Sequence, residues 1–169
     1  RLALLQTHYR QPLDFTKESL RQAKHMLDRF YAGLRAAAAV KPGDAKAVDT
    51  IAALEDDINT PLALSTLHAA LGDLNKAESD AERARSKGVL LDGGSVLGLF
   101  QQDPETWFRW HADGGSGLGD AEIESLIRQR ADARKARNFA EADRLRSALA
   151  ENGVTLEDKP DGTTIWRRS

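Results

Sequence analysis

Residues 132–143, with the sequence DARKARNFAEAD, decide how the C-terminal third of this 169-residue chain folds. Asn138 followed by Glu141 is the spacing of a helix N-cap and its capping partner, which predicts that one helix ends before Asn138 and another begins after it. Apolar residues recur at helical spacing on both sides of this turn, at Ile123, Leu126 and Ile127 before it and at Ala142, Leu145 and Leu149 after it. The stretch therefore predicts two helices joined by a tight turn.

The same stretch lies within a concentration of positive charge. Seven Lys or Arg residues but only three Asp or Glu residues lie between Arg128 and Arg146, in a chain with a formal net charge of -2. A cationic surface that also holds one aromatic ring and one carboxylate can attract phosphates, stack a base and hydrogen-bond a base edge. A solvated helix face with intrahelical ion pairs is the alternative, and the spacing alone favours it.

Six residues of this basic surface are candidates for nucleic-acid contacts. Arg134 offers a planar fork of donors that fits a guanine edge or a phosphate, and Asp143 can accept from a base amino group or pair with a nearby arginine. Phe139, at the turn, either plugs the helix junction or stacks on a splayed base. The other three candidates are the cations Arg130, Lys135 and Arg137.

Beyond the second helix the sequence predicts a β-hairpin. The two strand-like segments are residues 154–156 and 163–166, and the turn chemistry between them lies at residues 160–162. Trp166 is expected in the core, because it and Ile165 point to opposite faces of a strand and one of them must be buried. Residues 120–169 are therefore predicted to form a small α+β domain of two helices and a β-hairpin.

The first 112 residues are predicted to form an antiparallel helical bundle, so that the chain as a whole is mostly α. Predicted helices cover residues 1–9, 16–40, 47–57, 60–87, 96–102 and 104–110. The glycines of residues 92–95 are expected to interrupt the chain. The short third helix is expected to bury the stripe Val48, Ile51 and Leu54. Residues 113–119 contain four glycines and are predicted to be a flexible linker between the two domains.

Composition argues against enzyme chemistry within this chain. No cysteine is present, which excludes disulfides and thiolate metal sites, and no phosphate loop, dinucleotide fingerprint or nucleophile elbow occurs. The four histidines are scattered, so neither catalytic nor metal-binding residues are expected. No apolar run is long enough to span a bilayer and no signal peptide is visible, so a cytoplasmic location is expected. The chain begins with Arg1 inside a helical pattern, which suggests a fragment that has lost an upstream part.

Four segments of the chain carry motifs. Residues 8–15, HYRQPLDF, follow the pattern HYRxPL-D/N-F/Y, and residues 54–63, LEDDINTPLA, are similar to MDDDFNTP. Residues 131–143 are similar to DARKAKDWAxAD, and residues 153–167, GVTLEDKPDGTTIWR, to GIxLEDxPxGTxWR. In this order and spacing the four motifs are those of the cysteinyl-tRNA synthetases. The chain resembles the C-terminal part of that family along nearly its whole length.

The resemblance implies a class I synthetase that makes cysteinyl-adenylate from cysteine and ATP and then esterifies the 3′-terminal adenosine of cysteine tRNA. It implies a DALR-type helical bundle over residues 1–112 and an anticodon-binding domain over residues 120–169. ATP and a zinc ion are implied for the full-length enzyme only, since the HIGH and KMSKS signatures and the zinc-binding cysteines are absent here, and the fragment alone should be inactive. The implied partners are cysteine tRNA, at its anticodon and inner corner, and an N-terminal catalytic domain of the same polypeptide, in a monomer.

By position, the arginine, aromatic and aspartate that meet the GCA anticodon in that family are Arg134, Phe139 and Asp143 here. Phenylalanine replaces the family's usual tryptophan, which keeps a stacking face but loses an indole donor. Asn138 replaces an aspartate and caps a helix equally well. An added residue between positions 163 and 166 is a further departure from the family pattern.

Two other functions are compatible with parts of the sequence. One is a non-enzymatic helical interaction module whose basic face binds an acidic protein. The other is part of a paralogous ligase that joins cysteine to an amino-sugar inositol. That paralogue shares the catalytic domain but should not need an anticodon-binding segment, so residues 131–143 argue against it.

Overall fold

The computed structural model describes residues 1–110, 118–159 and 162–168, and the chain divides into two compact units, Arg1–Pro104 and Glu105–Ser169. The described residues form eight helices and one two-stranded antiparallel sheet. This confirms the predicted fold class, which is mostly α with a small β-hairpin. In the described part of the chain, no helix is long and apolar enough to cross a membrane.

The first unit is built from α1 (Leu2–Leu5), α2 (Lys17–Ala36), α3 (Val48–Glu55), α4 (Thr60–Lys76) and α5 (Asp80–Val96). Its core contains Phe30 from α2, Leu67 from α4 and Leu90 from α5, all of them fully buried. The rings of Phe30 and Phe100 lie 4.8 Å apart. Each such side chain contributes roughly 1.5–3 kcal/mol through burial. Helix α2 is shorter than the helix predicted over residues 16–40.

Capping chemistry sets where the helices of this unit begin. Thr16 is the N-cap of α2 and forms a capping box with Ser19. The N-cap of α4 is Asn59, whose side-chain oxygen accepts a hydrogen bond from the Leu62 N–H at 3.1 Å. Thr60 is therefore the first helical residue of α4, because the side-chain oxygen of Asn59 satisfies one of the free N–H groups of the first turn.

The prediction of a single helix over residues 60–87 is wrong, since α4 ends at Lys76 and α5 begins at Asp80. The Ser79 hydroxyl accepts from the Glu82 N–H at 3.2 Å, and the Glu82 carboxylate accepts from the Ser79 N–H at 3.1 Å. This reciprocal pair is a capping box, and it begins a new helix. The sequence signal, Ser followed by Glu three residues later, was present and overlooked.

The predicted interruption at residues 92–95 is also wrong, because these residues continue α5. A Cβ on Gly93 would lie 2.7 Å from Leu67 Cδ2 and 2.9 Å from Thr50 Oγ1, and a Cβ on Gly94 would overlap the ring of Phe100. The two glycines therefore allow the close approach of neighbouring side chains to the helix. A glycine in the sequence often indicates a turn, but it also occurs inside a helix where a neighbouring side chain needs the space. Only the tertiary structure shows such a neighbour.

Helix α3 packs on the core with the face opposite to the apolar stripe that was predicted to be buried. No member of the predicted stripe is buried, and Val48 is 69% exposed. Two polar contacts fix this orientation: the Asp92 carboxylate accepts from the Ala47 N–H at 3.0 Å, and the buried Thr50 hydroxyl lies 2.7 Å from that of Thr66. Apolar periodicity cannot show such contacts, because both partners come from other helices.

The second unit is built from α6 (Pro104–Arg109), α7 (Asp120–Lys135), α8 (Phe139–Glu151), β1 (Val154–Asp158) and β2 (Thr164–Arg168). The strands are antiparallel, with Asp158 opposite Thr164. The buried core consists of Ile123, Leu149, Val154 and Trp166. This confirms the predicted two helices and hairpin, and the predicted burial of Trp166.

Helix α6 groups with the second unit, whereas the sequence places residues 104–110 in the bundle. The Arg109 guanidinium lies 3.9 Å from the Glu124 carboxylate of α7 and 5.3 Å from the centroid of the Trp166 ring. These contacts attach α6 to α7 and β2. Most of the predicted linker 113–119 lies outside the described residues, which resume at residue 118.

Candidate nucleic-acid interface

The turn that joins α7 to α8 has a strained backbone. The Asn138 N–H donates to the Ala133 carbonyl at 2.8 Å, and the Arg137 N–H donates to the Arg134 carbonyl at 3.0 Å, which together form a Schellman motif. Arg137 occupies the left-handed position of this motif, with φ of +56°, where glycine is favoured. The Asn138 side chain then accepts from the Glu141 N–H at 3.2 Å and caps α8, which confirms the predicted N-cap.

Phe139, the first residue of α8, is 61% exposed. The sequence left open whether its ring plugs the helix junction or stays available for stacking, and the exposure makes the first alternative wrong. Ala142 and Leu145 provide the buried side of α8 near the junction instead. An exposed ring at a cationic turn offers a face on which unpaired bases stack, at roughly 1–3 kcal/mol per base.

Asp158, at the end of β1, connects the hairpin to α7. Its two carboxylate oxygens accept from Arg130 at 3.0 and 2.8 Å, and Oδ2 also accepts from Nη1 of Arg134 at 3.0 Å. Across the hairpin, the Thr164 hydroxyl donates to Oδ1 at 2.6 Å. The hydrogen bonds from Arg130 and then from Thr164 hold the pKa of the Asp158 carboxyl well below its usual range. The carboxylate therefore stays charged at neutral pH.

The two arginines bound to Asp158 differ in exposure. Arg130 is 6% exposed, so its guanidinium does not face solvent, and the hydrogen bonds to Asp158 raise its pKa. Its bidentate pairing fixes α7 against the hairpin. Arg134, one helical turn later, has a half-exposed side chain and uses Nη1 for Asp158, so its other donors stay accessible.

Sequence reasoning missed Asp158 as a member of this cluster. The available signal was its place in the motif of residues 153–167, together with two arginines four residues apart on α7. Arginines at that spacing share a helix face. Another element can pack closely on such a face when it brings a carboxylate to pair with the two positive charges. Which carboxylate does so depends on how the hairpin packs on α7, and only the fold shows this.

The other candidates lie at the surface. The Lys135 ammonium is 3.8 Å from the Asp132 carboxylate in an exposed pair, which contributes little to stability. Arg137 is exposed, and no carboxylate of the described residues lies within ion-pair distance of it. Asp143 is exposed on α8, and its charge is the smallest of the effects that raise the pKa of Arg130.

These positions bring four kinds of chemistry to the α7–α8 turn. Phe139 and Asp143 are four residues apart on α8 and share a face of that helix. On α7, the carboxylate of Asp158 holds Arg134 by its Nη1. A stacking ring, a carboxylate acceptor, a guanidinium fork and exposed cations are groups that can bind the bases and phosphates of a single-stranded RNA loop.

Metal chemistry has no support in the described ranges, where no three His, Cys, Asp or Glu residues are grouped closely enough to hold a metal ion. His68 packs on Phe30 of the bundle, with ring centroids 4.6 Å apart. Burial, and then the charge of Arg29, lowers the pKa of His68. This histidine is a packing residue of the first unit.

Two sequence families match the two parts of the chain. Residues 118–167 match the family described as the cysteinyl-tRNA ligase anticodon binding domain, and residues 50–101 match the DALR domain. The first match contains α7, α8 and both strands, and therefore Arg134, Phe139 and Asp143. Together the two matches define a class of protein: the C-terminal region of an aminoacyl-tRNA synthetase.

Three curated relatives match along the whole chain. The cysteine–tRNA ligases of Paramagnetospirillum magneticum, Rhodospirillum rubrum and Rhodospirillum centenum are 53%, 48% and 51% identical over 99%, 100% and 100% of this chain. The chain belongs to the cysteine–tRNA ligase family, and the resemblance drawn from its four motifs is confirmed. It matches the C-terminal part of these relatives and spans 37%, 37% and 36% of their length.

Proposed function

We propose that this chain is the tRNA-binding region of a cysteine–tRNA ligase and that its second unit binds the anticodon of cysteine tRNA. The observation that carries the proposal is the exposed Phe139 ring at a cationic turn, within the segment that matches an anticodon-binding domain. If the ring of Phe139 served only to pack the core, it would be buried. An exposed ring next to exposed positive charge instead suits an RNA loop.

Each residue of the interface has a role in this proposal. Phe139 stacks on an anticodon base, and Arg134 presents its free donors to a base edge such as O6 and N7 of guanine. Asp143 accepts from a base amino group. Lys135 and Arg137 bind phosphates of the loop.

Arg130, one of the six sequence candidates, acts indirectly. Because it is buried against Asp158, it fixes the carboxylate that in turn holds Nη1 of Arg134. Arg130 and Asp158 therefore position the base-contacting fork rather than touch RNA. Fixing one donor of Arg134 in advance reduces the side-chain entropy lost on binding, which is about 0.5–1.5 kcal/mol for such a side chain.

For the whole protein we propose ATP-dependent attachment of cysteine to its tRNA, as the names of the matched relatives indicate. ATP and zinc would be bound by the catalytic domain, which corresponds to the part of the relatives outside the match. No catalytic residue is therefore assigned to this chain. The first unit, with its DALR match, would contact the inner corner of the tRNA and pack on the catalytic domain. A cytoplasmic monomer is the form expected for such an enzyme.

The two alternative functions have less support. An acidic-protein binding module gives no reason for an exposed aromatic ring within a matched anticodon-binding domain. A cysteine:amino-sugar ligase needs no anticodon segment, and the relatives that cover the whole chain are cysteine–tRNA ligases.

The test is binding of two labelled anticodon stem-loops by fluorescence anisotropy at physiological salt. One carries GCA and the other differs only at those three bases. We expect at least a tenfold preference for GCA, equivalent to about 1.4 kcal/mol. Equal and steeply salt-dependent binding of both would mean attraction to phosphates alone and would refute base recognition.

Arg134→Ala sharpens this test. It should weaken binding of the GCA stem-loop by about 1–3 kcal/mol and relax the preference at one anticodon position. Arg35→Ala, at the end of α2 in the first unit, is the matched control and should leave anticodon stem-loop binding unchanged. An equal loss with every loop tested would reduce Arg134 to a phosphate contact.

A further inference from the structure

One face of α8 extends beyond the residues that the anticodon proposal uses. Phe139, Asp143 and Arg146 follow the spacing i, i+4 and i+7, so they lie in line along one side of the helix. All three side chains are exposed. Arg146 is therefore the third member of a row that begins with the proposed stacking ring.

Arg146 carries an uncompensated charge. Among the described residues, no carboxylate lies within ion-pair distance of its guanidinium. Arg144, two residues earlier, is different: its Nε and Nη2 donate to the two oxygens of Glu141 at 2.8 and 2.6 Å. Helix α8 thus holds two exposed arginines, one neutralised by a carboxylate and one available for an external anion.

The three side chains along this row are suited, in order, to the groups that an RNA strand presents. The ring of Phe139 suits a base face, and the carboxylate of Asp143 suits a base amino group and repels phosphate. The guanidinium of Arg146 then suits a phosphate, bound through its planar fork. Arg146 lies about 10 Å from Phe139 along the helix axis. At a rise of roughly 3.4 Å per stacked nucleotide, this corresponds to about three nucleotides.

We infer that Arg146 is a phosphate-binding residue and that the bound RNA strand runs along α8 from Phe139 towards Arg146. The inference rests on the proposed function and extends it, because it adds a contact to a nucleotide beyond the base stacked on Phe139. Arg146 contributes affinity and strand direction. Discrimination among the bases stays with the residues nearer the turn.

The first experiment compares Arg146→Ala with Arg144→Ala, which removes the same side chain from the same helix. Affinity for the GCA stem-loop is measured by anisotropy between 50 and 300 mM salt. Arg146→Ala should weaken binding about five- to tenfold at the lowest salt and reduce the slope of log K against log salt by about one contact. Its preference for GCA over the altered loop should be unchanged. Arg144→Ala should change affinity by less than twofold.

The second experiment tests strand direction with single-stranded oligonucleotides. The trinucleotide GCA is compared with oligonucleotides that extend it by three nucleotides on the 5′ side or on the 3′ side. The wild-type chain should gain affinity from one extension more than from the other, and Arg146→Ala should lose that gain while binding the trinucleotide as the wild type does. A merely structural effect of the substitution would weaken all three ligands equally.

The outcomes separate this inference from the proposed function. If the wild-type chain shows no preference for GCA, the proposed function fails and Arg146 has no site to extend. If the preference is present but Arg146→Ala and Arg144→Ala bind alike, only the role of Arg146 is overturned. An extension gain that survives in Arg146→Ala also overturns it and places the strand elsewhere, for example over Arg128 of α7.

Discussion

Asp158→Asn tests whether one carboxylate holds the second unit together. The change keeps the shape of the side chain and removes its charge. It removes the hydrogen-bonded counterion of the buried Arg130 guanidinium, removes the charge from the hydrogen bond of Thr164, and releases Nη1 of Arg134. The effect on the free energy of unfolding should be large, because Arg130 cannot turn to solvent without opening the contact between α7 and the hairpin.

The magnitude follows from the burial of the pair. Breaking a fully buried ion pair costs about 3–5 kcal/mol. The Asp158 side chain is 42% exposed and that of Arg130 only 8%, so part of the loss is screened by water. We therefore expect a destabilisation of about 2–3 kcal/mol. The second unit spans Glu105–Ser169, for which a total stability of roughly 3–10 kcal/mol is typical.

Tryptophan fluorescence measures this unit selectively. The three tryptophans of the chain, Trp107, Trp110 and Trp166, all belong to the second unit, and Trp166 is buried in its core. In thermal unfolding followed by this signal, Asp158→Asn should lower the midpoint by roughly 10–20 °C. Glu151→Gln, an exposed change at the end of α8, is the control and should stay within about 0.5 kcal/mol of the wild type.

The pH dependence gives a second measure of the same charge. The folded-state pKa of Asp158 lies below the unfolded value, so its stabilisation is present above the unfolded pKa and is lost as the pH falls through the folded pKa. With an unfolded pKa of about 3.9, the stability gap between wild type and Asp158→Asn should narrow by about 1 kcal/mol between pH 7 and pH 3. A gap that does not change with pH, or a loss below 0.5 kcal/mol at pH 7, would refute the account of Asp158 as the charged link between α7 and the hairpin.

Two further predictions concern backbone positions. Gly93→Ala should destabilise the first unit by about 1–3 kcal/mol, because the new Cβ would lie within 2.7–2.9 Å of Leu67 and Ala47. Gly72→Ala is its control: a Cβ there meets nothing within 4 Å, so the change should stabilise α4 by about 0.5–1 kcal/mol, and urea unfolding followed by circular dichroism compares the two. Arg137→Gly should raise the stability of the second unit by about 0.5–1 kcal/mol by relieving the left-handed backbone, yet weaken RNA binding. Destabilisation by Arg137→Gly would contradict the assigned turn geometry.

Elements whose signals are local could be predicted from the order of the residues alone. The Asn138 cap, the buried stripe of α8, the hairpin and the burial of Trp166 all follow from residues within one helical turn or one strand of each other. The family could also be predicted from the sequence, because each of the four motifs is a short local pattern and their order along the chain is fixed. The capping box of Ser79 and Glu82 was equally local, and its omission was an error of interpretation rather than a limit of the sequence.

Features that depend on a partner distant in the chain could be seen only in the folded protein. The buried side of α3 depends on Asp92 and Thr66 from other helices, and Gly93 continues a helix because Leu67 packs against it. In the interface, the sequence could name the cations but could not sort them. Asp158 binds Arg130 and Glu141 binds Arg144, whereas no carboxylate in the described part of the chain lies within ion-pair distance of Arg146. The physical reason is that folding decides which donors a carboxylate already occupies, and only the remaining donors of a guanidinium can bind an external base edge or phosphate.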